Sequence, residues 1–194
     1  MTTVLLTGFE PFGTATSNPS GEIVKQISGD NIVTAILPVA YAGSAERLLE
    51  LIAEHNPDVV ICLGQAEGRT HITPEKVAIN LDDARLADNE GVLRNDVKIL
   101  EDGPDAYFTT LPINKMVEAI KAKGVPAAVS LSAGAFLCNH VFYVAQNKFV
   151  GSDVRSGFVH VPLMDSQAAE FPGLPTMPLD QMVTAVRAML EVVA

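Results

Sequence analysis

The feature that most constrains this chain is a rhythm, in which short apolar, β-branched runs alternate with longer segments of helical period. Thr3–Thr7, Ile32–Leu37, Val59–Leu63, Ala127–Leu131 and Gly157–Val161 are the apolar runs, and they read as strands covered on both faces. Between two of them, Ala45 to His55 sets Leu48, Leu49, Ile52 and Ala53 on one stripe and Glu46, Arg47, Glu50 and Glu54 on the other, the pattern of a surface helix. Pro112 to Lys123 reads as a second helix, stopped by Gly124 and followed by Pro126. The C-terminal segment behind Pro178 and Asp180 reads as another, with Met182, Val183, Val186, Met189 and Leu190 at helical spacing. Strands alternating with crossover helices predict an α/β fold. All 194 residues are expected in one domain, residues 1–194, because a chain of this length buries roughly 70% of its unfolded surface and no repeat or linker divides it. Only Ile72 to Ile99 breaks the rhythm: an alternating run gives way to an acidic, Gly- and Asn-containing stretch, read as a hairpin or long loop.

Composition matters where it excludes functions. The net charge of −10 repels phosphate backbones and anionic headgroups, so neither nucleic acid nor a membrane surface is an expected partner. No basic, apolar leader opens the sequence, and no targeting segment is expected. The most apolar stretch, Ala127 to Ala145, carries Ser130, Ser132, Gly134, Asn139 and His140, which argue against a spanning helix. The two cysteines, Cys62 and Cys138, are expected as free thiols in a reducing compartment, the cytoplasm. Metal-ligand spacings, a P-loop and a dinucleotide fingerprint are all missing, so no metal and no cofactor is expected.

Cys138 follows an apolar run and stands where a helical stretch towards Phe149 begins. A thiol at a helix N-terminus feels the positive end of the dipole, which favours thiolate, and the unpartnered N–H groups there can bind an oxyanion. The alternative is a buried structural cysteine, the commoner fate of a free thiol; Cys62, inside an apolar run, takes that role. Among the four histidines, His140 lies two residues beyond Cys138, so on a helix its side chain points about 200° away. His55 closes a surface helix, and His71 sits in a loop as a second candidate base. His160 is preferred, because it lies near the C-terminal end of a strand, the edge of an open α/β sheet where sites collect. The alternative is a satisfied core histidine. Glu75, beside Pro74 in an apolar alternation, is the candidate that would orient the imidazole; otherwise it is a surface carboxylate paired with Lys76, Arg69 or Arg85. In Gly8-Phe9-Glu10-Pro11-Phe12-Gly13, two phenylalanines follow the first strand, either as a pocket wall or as ordinary core.

Five segments, in order, resemble pyroglutamyl peptidase I, the pyrrolidone-carboxylate peptidase family of cysteine peptidases. They are Leu5 to Gly13 with Asn18-Pro19-Ser20, Leu63 to Ala66 with Gly68-Arg69, Ile72 through Arg85, Ser132 to Tyr143, and Gly157 to Pro162. The resemblance implies a three-layer α/β/α sandwich around a mixed, twisted sheet. It also implies a Cys-His-Glu triad at Cys138, His160 and Glu75, and a lactam pocket lined by Phe9 and Phe12, with Gln65 nearby and Arg85 close to the oxyanion site. The implied reaction is hydrolysis after an N-terminal pyroglutamyl residue of peptides, through a thioester, in a cytoplasmic homotetramer. Departures from the family pattern are small: Ala135 stands where Thr is common, Lys76 where Arg is usual, and Asn147 to Gly157 is short. Two other readings use the same residues, an amidase for another small acyl group and a non-catalytic binding protein of the same fold.

Overall fold

The computed structural model describes residues 2–194. Along the chain run strands β1 (Val4–Phe9), β2 (Ile32–Leu37), β3 (Val59–Gln65), β4 (Thr73–Pro74), β5 (Val77–Ile79), β6 (Ala106–Phe108), β7 (Arg155–Val161), β8 (Leu163–Met164) and β9 (Thr176–Met177). Between them lie helices α1 (Pro19–Val24), α2 (Tyr41–His55), α3 (Ile113–Ala122), α4 (Leu137–Lys148) and α5 (Leu179–Val193).

Strand side chains alternate between two buried clusters. Leu6, Ile61 and Val159 pack with Ile23, Met116 and Met182 of α1, α3 and α5. Leu5, Val60 and Phe158 pack on the other face with Leu48 and Phe142 of α2 and α4. The result is three layers, with the continuous apolar runs explained by burial on both faces. The central sheet has the order β2-β1-β3-β7-β4. Its first four strands pair in parallel and β4 pairs antiparallel with β7, so the sheet is mixed.

Several boundaries differ from the sequence reading. Ala127 to Leu131 is not a strand; it touches the sheet edge through two isolated bridges, Ile72 to Ala127 and Glu75 to Ser130. Ala128 N–H and Ser130 N–H do donate to the carbonyls of Ile72 and Pro74. A continuous ladder also needs an N–H from position 74, and proline has none. Within the Ile72–Ile99 loop, β5 finds its partner beyond that range, in β6. Helix α2 starts ahead of its amphipathic stripe, because Asp88 Oδ2 accepts the Tyr41 N–H at 2.9 Å and caps it from a distant loop.

Helix α1, unforeseen, has a local cause: Asn18 accepts the Ser20 N–H and Pro19 occupies the first helical position. It lies directly on β1, where a Cβ at Gly8 would collide with the Ser20 carbonyl. That close approach brings Asn18 to the C-terminal end of the sheet.

Candidate active site

Cys138 is the second residue of α4. The first helical bond runs from His140 N–H to the Phe136 carbonyl, at 3.0 Å, and among the described residues the N–H groups of Leu137, Cys138 and Asn139 have no backbone acceptor. Helix α4 lays the thiol on β3. A Cβ at Gly64 would sit 2.7 Å from Cys138 Sγ and 2.7 Å from Phe158 Cζ, so only glycine leaves room for the sulfur. Gly64 is the register partner of His160 in the β3–β7 pair. Neighbouring strands lie about 4.8 Å apart, so the thiol over β3 and the imidazole on β7 lie side by side on the α4 face.

His160 and Glu75 are buried, and His160 Nδ1 lies 2.7 Å from Glu75 Oε1. Since an ionised carboxylate can only accept, Nδ1 carries the proton and Nε2 is left unprotonated, able to accept one. Arg69 completes the group: Nη1 donates to the same Oε1 at 2.7 Å and to Thr73 Oγ1, while Nη2 donates to the Ser132 carbonyl at 3.0 Å. The sequence offered Arg69 only as a surface partner of Glu75. Glu75 is instead fully buried, and the guanidinium and the imidazole share one oxygen.

Loss of water opposes charge on all three groups. For Glu75 that opposition is outweighed, first by the hydrogen bond and charge of His160 and then by Arg69 among others, so the carboxyl titrates below its usual range. For His160 burial wins over the attraction of Glu75 and lowers the imidazole. Burial pushes the Cys138 thiol up to about 12, with the Glu75 charge adding to the rise. Burial thus opposes the thiolate that the helix start favours.

Over the thiol opens a cavity of about 330 Å3 empty volume, walled by Phe9, Phe12, Phe136 and Val39, with Asn18 and Gln65 as polar members and Cys138 and Leu137 completing the lining. The Phe12 and Phe136 rings are 6.4 Å apart, and Phe9 lies 6.5 Å from Phe158 beside the imidazole. A larger hollow, about 1190 Å3, opens at the other end of the strands between Val4, Gly29–Ile32 and the end of α5, and contains none of these residues.

The structure thus brings together Cys138, His160, Glu75, Phe9, Phe12 and Gln65. Arg85 is not among them; it lies exposed on the loop after Asp82 and, among the described residues, makes no hydrogen bond or ion pair and does not line the cavity. His140 faces away from the thiol, with Nδ1 2.9 Å from Asp82 Oδ2. His71 is exposed and bonds Thr70. Cys62 is a buried free thiol in the core. Among the described residues, no cluster of His, Cys, Asp and Glu could hold a metal ion, and no helix is long and apolar enough to cross a membrane. Sequence reasoning missed Arg69 and Asn18 as site members. Asn18 carries a local signal, the Asn-Pro-Ser helix start, whereas nothing local marks Arg69.

A family model described as pyroglutamyl peptidase matches residues 2–194. A pyrrolidone-carboxylate peptidase of Bacillus cytotoxicus is 43% identical over 199 residues, spanning 99% of this chain and 93% of the relative. One of Aliivibrio fischeri is 48% identical over 186 residues, spanning 93% and 87%. The crystal structure of Bacillus amyloliquefaciens pyroglutamyl peptidase I superposes with a TM-score of 0.94 at 43% identity, covering 97% of this chain and 95% of the other. A mutant pyrrolidone carboxyl peptidase of Pyrococcus furiosus gives 0.92 at 37% identity, covering 98% and 97%.

Proposed function

Because the chain belongs to the pyroglutamyl peptidase family, we propose that it hydrolyses the bond after an N-terminal pyroglutamyl residue of peptides, with Cys138 as nucleophile, His160 as base and Glu75 as the group that orients the imidazole. The observation that carries the assignment is the seating of Cys138 Sγ on Gly64, the register partner of His160, while His160 Nδ1 is held by Glu75 at 2.7 Å.

Burial disfavours a resting thiolate-imidazolium pair, so proton transfer accompanies attack. As Sγ bonds to the carbonyl carbon, His160 Nε2 takes the thiol proton, and Glu75 stabilises the imidazolium that forms. The Cys138 N–H, with its neighbours at the start of α4, receives the oxyanion. The imidazolium then protonates the leaving amine as the C–N bond breaks. Water, deprotonated by His160, attacks the thioester and releases pyroglutamate, returning the proton to sulfur. His160, and with it Arg69, favours the ionised form of the Glu75 carboxylate. Phe9 and Phe12 wall the acyl pocket and Gln65 supplies its polar contact. Arg85, without an ion pair in this arrangement, joins the oxyanion site only if the loop after Asp82 bends over the cavity.

The same reading makes residues 1–194 one catalytic domain, in the cytoplasm and as a homotetramer. Two unlinked thiols support the first location. Phe108 and Leu131, exposed at 68% and 74% on either side of Lys76, support an interface between copies.

The test is release of a fluorescent amine from its pyroglutamyl conjugate, with a prolyl conjugate as control. Wild type is expected to cleave only the former. Cys138→Ser and His160→Ala are expected to lose about 10^4-fold in kcat/KM while staying folded. No release by reduced, folded wild type would remove the peptidase reading.

A further inference from the structure

The two polar side chains of the cavity, Asn18 and Gln65, are amides, and an amide can present either an oxygen or an N–H. Which one it presents is decided here by backbone groups that cannot change sign. Asn18 Oδ1 accepts from the Ser20 N–H at 3.1 Å and the Ser20 hydroxyl at 2.8 Å, and its Nδ2 donates to the Glu10 carbonyl at 3.0 Å. One Asn18 N–H is left over.

Gln65 is fixed at one remove, by Gln167, which is fully buried and does not line the cavity. Gln167 Oε1 accepts the Met164 N–H at 2.9 Å, and its Nε2 donates to the Ser17 carbonyl at 3.2 Å and to Gln65 Oε1 at 3.0 Å. Turning the Gln167 amide over would set two donors face to face at Met164 and two acceptors at Ser17. It therefore cannot turn, and Gln65 must point its oxygen towards Gln167. Gln65 Nε2 reaches Glu67 Oε1 at 3.5 Å with one hydrogen and keeps the other uncommitted among the described residues.

We infer that Gln167 is a positioning residue for substrate choice: it holds the Gln65 amide so that an N–H, together with that of Asn18, meets the ring carbonyl of the bound group. This rests on the peptidase reading and extends it to the atom that is recognised. A lactam brings a carbonyl to two donors. A prolyl residue brings no ring carbonyl and a charged ammonium, which would confront the same donors without an acceptor.

The experiment measures protection of Cys138 from iodoacetamide by 2-pyrrolidone, with pyrrolidine as the comparison, in wild type, Gln167→Glu and Gln167→Met. In Gln167→Glu the ionised carboxylate can only accept, so Gln65 must reverse and present its oxygen. The apparent Kd for 2-pyrrolidone is then expected to rise about tenfold or more in alkaline buffer, the loss of one hydrogen bond to a buried group. It should recover in acid, where the protonated carboxyl of that variant again donates to Gln65. Gln167→Met leaves Gln65 free to turn, and a pH-independent rise of a few-fold is expected. The unprotected alkylation rate is measured for each protein at each pH, and protection is read relative to it. A wild-type Kd in both variants at every pH would overturn the inference while leaving the peptidase reading intact, whereas absence of pyroglutamyl cleavage by wild type would remove that reading first.

Discussion

At His160, loss of water outweighs the charge of Glu75, and the imidazole titrates below its ordinary 6.5. The proposed mechanism needs the neutral form, so the acid limb of kcat/KM is expected below pH 6.5; a limb at or above that value would contradict the burial argument. Stability follows the same sign. An unfolded chain takes a proton on His160 near 6.5 and the folded chain only at lower pH, so this contribution is complete above 6.5 and is lost as pH falls towards the folded value. Glu75 acts in the same direction further down, its stabilisation being present above 4.5 and lost as pH falls through its depressed pKa. At Cys138 the sign reverses: the unfolded thiol ionises near 9.0 and the folded one near 12, so stability declines as pH rises through that window. Urea midpoints measured across pH should therefore trace a plateau bounded by these groups.

Asn139, next to Cys138, ties helix α4 to the strands beside it. Asn139 Oδ1 accepts the Ile79 N–H, and its Nδ2 donates to the carbonyls of Ile79 and Leu81, each at 2.9 Å. These bonds tie the helix to β5 and to the start of the loop that carries Asp82. Further along that loop, Arg94 donates to Asp82 Oδ2 at 2.7 Å, the oxygen that also faces His140. Asn139→Ala leaves strand backbone groups unpaired and is expected to cost about 2 kcal/mol, read as a lower urea midpoint at an unchanged slope. A fall in kcat/KM should accompany it, since small displacements of a nucleophile cost about 100-fold. An unchanged midpoint would show that the helix is held by its apolar face alone.

Across the whole molecule, two thiols with similarly raised pKa values differ in access. Cys62 lies in the core at 0% exposure, with its thiol pushed up to about 12 by burial, whereas Cys138 is partly open to the cavity. A thiol reagent is expected to modify one cysteine in the native protein and two once it is unfolded; two fast reactions without denaturant would mean that the sheet opens locally at β3. The alternation of apolar runs and amphipathic stripes was enough to determine the α/β layering, because burial on both faces or on one stripe is written in residue order. Cys138 at a helix start was legible for the same reason, and the order of the motifs pointed to His160 and Glu75, which the structure places in contact with each other. The edge beside β4 was not legible as a strand or its absence, since the missing N–H of Pro74 matters only once Ala127 to Leu131 lies alongside it. Nor could sequence decide the protonation of the site, the sharing of Glu75 Oε1 by Arg69 and His160, or the facing of the Gln65 amide. Those depend on water excluded and on donors meeting acceptors across the chain, Gln65 with Gln167 among them, and only the tertiary structure brings such groups within hydrogen-bond distance.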